Sequence, residues 1–354
     1  MSIGRRPPGS AETTSGRASV LCGLGGWVPQ RIVTNEELSR RLDTTEDWII
    51  TRTGIGERRA VDPGQATSDL AVAAGSRALR SAGGETPDTV IVATTTPDRP
   101  CPATAPLVAA RLGMRGVAAF DVSAVCTGFV YGLATAAGMI AAGVSQRALV
   151  IGADVYSSIV DPDDRTNAII FGDGAGAVVL RAGDPDELGA LGNFVLGSDG
   201  TGEHLITIAA GGSRQRSSGQ PPTRGERHFA MQGKEVFRQA VTHMSSSARA
   251  SLAAAGWQPD EVDRVVAHQA NLRILRSVAD NLGIDRDRCV SHLVDVGNTG
   301  AASIPLALDH AAANGTLRPG QRVLLTAFGG GLTWGSCVLR WPDIDRGTEH
   351  GGER

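Results

Sequence analysis

What most constrains the fold of this chain is an order of landmarks that occurs twice. TVIVATTT begins at Thr89, DVSAVCTGF at Asp121 and QRALVIGAD at Gln146; RVVAHQAN begins at Arg264, DVGNTGAAS at Asp295 and QRVLLTAFGG at Gln321. The separations are 175, 174 and 175 residues, so spacing is kept together with wording. AVVLR at Ala177 and SCVLR at Ser336 make a further pair, 159 apart, because the first half has extra residues before its last strand. One βα unit used twice, with a ligand site where the loops of the two halves converge, accounts for the pattern.

The elements inside each copy read as α/β. Apolar, β-rich runs at 90–93, 119–122, 148–151, 177–180, 265–267, 323–327 and 336–339 predict strands. Ala-rich stretches at 68–82, 127–142, 236–255 and 304–313 predict the intervening helices. Gly-, Arg- and Pro-rich residues 211–227 read as a long surface loop, and FGGGLTWG from Phe328 to Gly335 as a tight turn between strands. The expected division is a disordered tail at 1–18, a first half at 19–189, a second half at 190–343 and a disordered tail at 344–354.

Charge and cysteine usage exclude several function classes. The 34 Lys+Arg against 37 Asp+Glu leave −3, which gives no bulk attraction to nucleic acid or an anionic membrane. Any anionic partner must meet a local patch. Cys22, Cys101, Cys126, Cys289 and Cys337 are odd in number with no CxxC, which argues against a disulfide framework and a zinc site. The seven histidines form no ligand motif, so no metal is expected. GLGG at Gly23–Gly26 and GDGAG at Gly172–Gly176 lack the full nucleotide-binding patterns. No run approaches the ~20 apolar residues of a membrane span, and the first residues do not resemble a signal peptide. A cytoplasmic location is the expectation.

Three residues carry the candidate chemistry. Cys126 follows the strand AFDVSAV and precedes TGFVYGLATAAGMIAAG, a helix apolar on nearly every face and therefore buried. A thiol at a helix N-terminus is expected below its usual pKa of about 8.5, and the same N–H groups can hold an oxyanion. Read alone, Cys126 fits a nucleophile and a buried structural cysteine equally. His268 ends DRVVAH and opens the amphipathic QANLRILRSVADNLG, while Asn298 lies in the repeat counterpart of the Cys126 loop. Alone, the histidine reads as an ordinary core or surface residue and the asparagine as a turn or helix cap. Their shared position changes the balance, because all three lie at strand-to-helix junctions that the duplication brings to one face. A cysteine nucleophile needs a polar partner, and two neutral donors beside a thioester can stabilise an enolate.

DTTEDWIITRTGI (Asp43–Ile55), DVSAVCTGF, FGDGAGAVVL, HQANLRI, GNTGAAS and AFGGGLTWG occur in that order. With these six motifs the chain resembles β-ketoacyl-acyl-carrier-protein synthase III from about Val20 to Trp341. The resemblance implies a thiolase-like five-layered αβαβα sandwich, usually a homodimer. It implies that an acyl-CoA acylates Cys126, while His268 and Asn298 promote decarboxylation of malonyl carrier protein to an enolate that attacks the thioester. Backbone N–H groups of Cys126 and Gly330 would form the oxyanion hole, worth roughly 3 kcal/mol per donor. Phe328 would pack against the cysteine. Trp48 and Arg165 match the residues that sandwich the CoA adenine, Arg52 and Thr44 its phosphate and polar contacts, and Asn271 a pantetheine contact. No cofactor is implied beyond the acyl-CoA and malonyl carrier substrates.

Two departures stand out. Cys101 occupies a position where many relatives carry a bulky aromatic that lines the acyl pocket of the neighbouring subunit, so a starter larger than acetyl is expected. Arg238 and Arg273 fit the family's carrier-docking patch, with Arg276 in support, but Asp280 and Asn281 replace lysines found in some members. Other readings are an acyltransferase of the same fold acting on an alcohol or amine, a thiolase, and a non-catalytic chain-length subunit. The glycine loop continues as Leu332, Thr333 and Trp334, without the second cysteine of a thiolase, and retention of Cys126 disfavours the non-catalytic subunit.

Overall fold

The computed structural model describes residues 16–345. Every run marked as a strand is one. In chain order the strands are β1 (Ala18–Trp27), β2 (Arg31–Thr34), β3 (Glu57–Ala60), β4 (Thr89–Ala93), β5 (Ala118–Val122), β6 (Arg147–Asp154) and β7 (Gly174–Gly183). There follow β8 (Ala190–Ser198), the two-residue β9 (Ile206–Thr207) and β10 (Ala230–Met231), then β11 (Arg264–Ala267), β12 (Arg322–Gly329) and β13 (Thr333–Arg340). The short strand pairs were missed, as were β1 and β8. The sequences ASVLCGLGGW and ALGNFVLGS hide their period behind glycines, which lower strand propensity.

Nine strands form one sheet in the order β11-β12-β13-β8-β1-β7-β6-β4-β5. Within this sheet the halves join where Ser19 and Val20 pair with Leu191 and Ala190. On either side the arrangement repeats: β4, β6, β7 and β1 in the first half match β11, β12, β13 and β8 in the second. β4 and β6 run parallel, as do β11 and β12. The counterpart of β5 is reduced to a single bridge between Val265 and Cys289.

The two arms of the sheet fill two of five layers, and the helices fill the other three. They are α1 (Asn35–Arg41), α2 (Glu46–Thr53), α3 (Thr67–Ser81), α4 (Ala105–Arg111), α5 (Gly128–Ala141), α6 (Ser213–Ser217), α7 (Gly233–Ala255), α8 (Leu272–Leu282), α9 (Leu293–Val296) and α10 (Ser303–Ala313). α3 covers β1, β6 and β7 from outside, and α7 covers β8, β12 and β13. α5 and α10 lie between the two arms of the sheet, each touching strands of both halves. This is the αβαβα sandwich. The central helices bury Phe129, Val130, Leu133 and Ile140 together with Ile304 and Leu308. Full burial of side chains of this size contributes about 1.5–3 kcal/mol apiece.

Two boundaries and one loop differ from expectation. Ala18 already belongs to β1, and Arg17 donates to Gln146 at 3.0 Å, so the tail expected at 1–18 does not reach its stated end. At the other end Ile344 packs on the core and the Asp345 carbonyl accepts from Ser81 at 2.7 Å. The rest of both expected tails lies outside the described residues. The exposed segment 211–227 is broken by α6, five residues with no buried side chain.

Candidate active site

Cys126 is set by a strained turn. After β5 the chain enters a turn of 3-10 helix, Val125–Thr127, and α5 follows at once. Val125 has φ 47°, a left-handed conformation that a β-branched residue adopts at a cost of about 1–3 kcal/mol. The same arrangement recurs 175 residues on, where a 3-10 turn at Gly300–Ala302 precedes α10. The two turns pack against one another. The site therefore forms where the duplicated junctions meet.

Cys126 is buried, and burial pushes its thiol up to about 12; the hydrogen bond to Tyr156 opposes the shift and the charge of Asp154 adds to it. The expectation of a lowered thiol pKa is thereby corrected for the resting residue. Desolvation outweighs the helix end, because the sulfur is buried against a mostly apolar cavity.

His268 leaves the end of β11, its N–H donating to the Thr326 carbonyl at 2.8 Å. It opens a short loop rather than the helix, since α8 begins at Leu272 with Asn271 as its cap. Its Nδ1 lies 2.7 Å from Ser303 Oγ at the start of α10. Burial drives its pKa down to about 3, so the ring is neutral at physiological pH. Asn298 pairs with the first half: its N–H donates to Ile170 O and its carbonyl accepts from Gly172 N–H, at 2.9 and 3.0 Å. Its Oδ1 accepts from Gly300 N–H at 3.0 Å, which leaves the amide NH2 as its available donor.

Cys126, His268, Asn298, Asn271 and Phe328 line one cavity of about 110 Å³ whose other walls are mostly apolar, including Phe171, Phe229 and Met244. The glycine turn between β12 and β13 closes over Cys126. A Cβ on Gly329 would stand 2.8 Å from the Cys126 nitrogen, a separation that side chains do not tolerate. Thr333 Oγ1 bonds Ala124 O at 3.2 Å and Gly330 O at 3.1 Å, fastening that turn beside the cysteine. The backbone of Gly330 thus lies in the turn that caps the nucleophile.

The expected CoA residues form a second group. Trp48 on α2 has the Arg52 and Arg165 guanidinium carbons 5.5 and 5.3 Å from its ring centroid. Arg165 also pairs with Asp43 at 3.0 Å. Thr44 Oγ1 is buried without a partner, and Asn271 Oδ1 accepts from Ile274 N–H at 2.9 Å. Buried Arg58 braces this wall, donating to Val33 O, Asn35 Oδ1 and Ile169 O at 3.2, 2.8 and 2.7 Å.

On the expected carrier face, Arg273 and Arg276 are exposed one turn apart on α8, and Arg273 lies over Phe237. Arg238 pairs with Glu235, and Asp280 is neutralised by Arg286 through two bonds of 2.8 and 2.7 Å. Cys101 is exposed in the loop between β4 and α4 and does not line the Cys126 cavity of its own chain.

Sequence reasoning missed Tyr156 and Ser303. The Tyr156 hydroxyl lies 3.7 Å from Cys126 Sγ. The repeat held its signal, since 175 residues beyond Tyr156 is Gly331, in the capping turn.

Comparison with known proteins agrees with this geometry. Residues 120–200 match the family model described as 3-oxoacyl-[acyl-carrier-protein] synthase III, and residues 252–341 match its C-terminal counterpart. The chain is 60% identical over 332 residues to β-ketoacyl-[acyl-carrier-protein] synthase III 3 of Streptomyces coelicolor, covering 93% of this chain and 99% of that protein. It is 53% identical to the synthase III of Pseudomonas aeruginosa, covering 93% and 98%. A crystal structure of 3-oxoacyl-(acyl carrier protein) synthase III from that organism superposes with TM-score 0.87 at 50% identity, over 93% and 100% of the two chains. The priming β-ketosynthase from the R1128 polyketide pathway also gives 0.87, at 35% identity over 97% and 100%. Fold, repeat and relatives agree: the chain belongs to the β-ketoacyl-acyl-carrier-protein synthase III family.

Proposed function

We propose that the chain catalyses a decarboxylative Claisen condensation, initiating fatty acid or type II polyketide synthesis. The convergence of Cys126, His268 and Asn298 on one apolar cavity carries this reading. Cys126 sulfur attacks the acyl-CoA carbonyl carbon; a new S–C bond forms, the C–S bond to CoA breaks, and the thiol proton leaves with the CoA sulfur. The malonyl group of an acyl carrier protein then loses CO2. The electron pair of the broken C–C bond becomes an enolate, and the neutral His268 ring and the Asn298 amide donate to its oxygen. The enolate carbon attacks the Cys126 thioester, and the sulfur leaves as thiolate. N–H groups of Cys126 and Gly330 hold the tetrahedral oxyanion.

CoA enters past Trp48, Arg52, Arg165 and Thr44, with Asn271 beside the pantetheine, and Phe328 flanks the cysteine. An acidic carrier docks on Arg238, Arg273 and Arg276. Lys234, the sole lysine, sits beside Gly233 at the cavity wall and adds to that positive rim. Homodimerisation, with Cys101 reaching the neighbour's acyl pocket, a starter larger than acetyl, a cytoplasmic location and the two-half division at 189/190 belong to the same proposal. Among the described residues no helix is long and apolar enough to cross a membrane.

The test follows CO2 from a malonyl thioester and the acyl adduct on Cys126 together. Cys126→Ala is expected to lose the adduct, whereas His268→Ala and Asn298→Ala keep it and lose CO2 release. An adduct that passes to an alcohol or amine with no CO2 released would replace condensation by plain acyl transfer.

A further inference from the structure

Tyr156 has no part in the scheme above, yet its hydroxyl is a side-chain group within hydrogen-bonding distance of the Cys126 sulfur, at 3.7 Å. It stands in the turn after β6 and is fully buried. Its ring stacks on Phe171 with centroids 4.4 Å apart and planes 10° from parallel. Phe229 meets the same ring edge-on at 5.5 Å. Behind it, a Cβ on Gly300 would come within 2.4 Å of Tyr156 Cε2, so the ring fits because residue 300 has no side chain. Three contacts thus fix where the hydroxyl points.

Thr95 Oγ1, buried without another partner, can donate to the phenol oxygen, which leaves the phenol proton for sulfur; the carboxylates are committed elsewhere. Asp154 is two residues away, but its Oδ1 accepts from Thr94 Oγ1 and Thr95 N–H, and its Oδ2 from Ala301 N–H. Asp173 accepts from Ser157 and Val61. His268, across the cavity, is neutral. On its far side the ring borders a second cavity lined by Arg31, Arg41, Arg58, Arg59 and Glu37, away from the sulfur. A buried phenol proton is costly without an acceptor, and the Cys126 sulfur at 3.7 Å is the acceptor at hand. A thiolate has no proton to give, so when charge is on sulfur the phenol must donate.

We propose that Tyr156 is a catalytic residue of this family member: its O–H donates to the Cys126 sulfur whenever that atom bears charge. That happens twice in the cycle. As Cys126 attacks the acyl-CoA, the S–H bond breaks while S–C forms. As the enolate carbon displaces the thioester, the C–S electron pair returns to sulfur. Tyr156 keeps its proton in both steps and supplies only the hydrogen bond. Burial and the nearby Asp154 both disfavour charge on this sulfur, and the bond from Tyr156 acts against them. The inference rests on Cys126 being the acyl acceptor.

The experiment uses the full chain as wild type, Tyr156→Phe and Cys126→Ala. Iodoacetamide labelling of Cys126, read by peptide mass spectrometry from pH 6 to 10.5, reports thiolate formation, and acyl-CoA adducts report acyl transfer. Phe keeps the stack on Phe171 and Phe229, so the melting temperature is expected to stay within a few degrees. Labelling of Tyr156→Phe at fixed pH is expected to fall about tenfold, the equivalent of one unit of pKa. Acylation should slow in step. Equal labelling and acylation in the two proteins overturn the inference while leaving the proposed function intact; a wild type that takes no acyl group overturns the function instead. A second readout needs no variant. The chain has two tyrosines, Tyr131 and Tyr156, so 3-fluorotyrosine gives two fluorine resonances. Tyr131 donates to Gly197 O at 2.9 Å, away from the sulfur. Alkylating Cys126 should shift one resonance and leave the other; two unmoved resonances also overturn the proposal.

Discussion

Nδ1 of His268 lies 2.7 Å from the hydroxyl oxygen of Ser303, a residue at the head of the central helix α10. The Gln269 N–H donates to the same oxygen at 3.3 Å and fills one of its two lone pairs, so the hydroxyl either gives its proton to Nδ1 or accepts from Nδ1–H on the other. The proposed role selects the first arrangement, because a donor to a developing enolate must carry its proton on Nε2.

Ser303→Ala is therefore expected to lower CO2 release from the malonyl thioester about five- to tenfold, the equivalent of one net hydrogen bond. Cys126 acylation should be unchanged. The neutral tautomer should also move from Nε2–H toward Nδ1–H, which 15N NMR of labelled histidine reads directly. Wild-type decarboxylation in the variant would show that Ser303 does not orient the ring.

Trp48 carries two guanidinium groups against its ring, so an adenine entering there exchanges a cation–π contact for a stack. Trp48→Ala is expected to raise the KM for acyl-CoA about tenfold, within the range of such contacts on a partly desolvated ring. kcat and the KM for the malonyl carrier should hardly move. An equal rise in both KM values would place Trp48 outside the CoA site.

The duplicated landmarks were legible because they sit where strands hand over to helices, and that placement brought Cys126, His268 and Asn298 to one cavity. What the residues did there was harder to read. The thiol of Cys126 lies high and the ring of His268 is neutral because both are enclosed, and enclosure comes from Phe171, Phe229, Met244 and Phe328, which are far apart in sequence. Nothing in DVSAVCTGF announces that Val125 takes φ 47°. Asp280 looked like a lost positive charge, but Arg286, six residues on, cancels it. Side chains at the junctions could be found from spacing, whereas those that set their electrostatics could not.

Cys101 tests the size of the starter unit. It is small, exposed and far enough along its loop not to line its own chain's cavity. Cys101→Phe is expected to shift the adducts formed from a mixed C2–C8 acyl-CoA pool toward acetyl, as read by the mass on Cys126. Phe171 and Phe229 line the same cavity from within the chain. Strong acetyl preference in the wild type, with no change in the variant, would remove Cys101 from specificity.

Asp154 gives the stability a measurable pH dependence. Burial raises its pKa from 3.8 to about 7, with bonds from Thr95 and Ala301 acting in the other direction. The folded chain therefore binds a proton that the unfolded chain releases between those values. The resulting stabilisation is complete below about pH 4 and is lost as pH rises through 7. His268 acts oppositely: its lowered pKa makes stability fall as pH drops below about 6.5. Comparing Asp154→Asn with wild type cancels the histidine term, which both proteins share. The variant should melt lower throughout, because Asp154 ties β6 to the Asn298 loop through Ala301. Its deficit is expected to shrink steadily from pH 5 to pH 7.5 in thermal melts. A deficit that is constant or grows over that range would mean that Asp154 is ionised in the folded chain at pH 5.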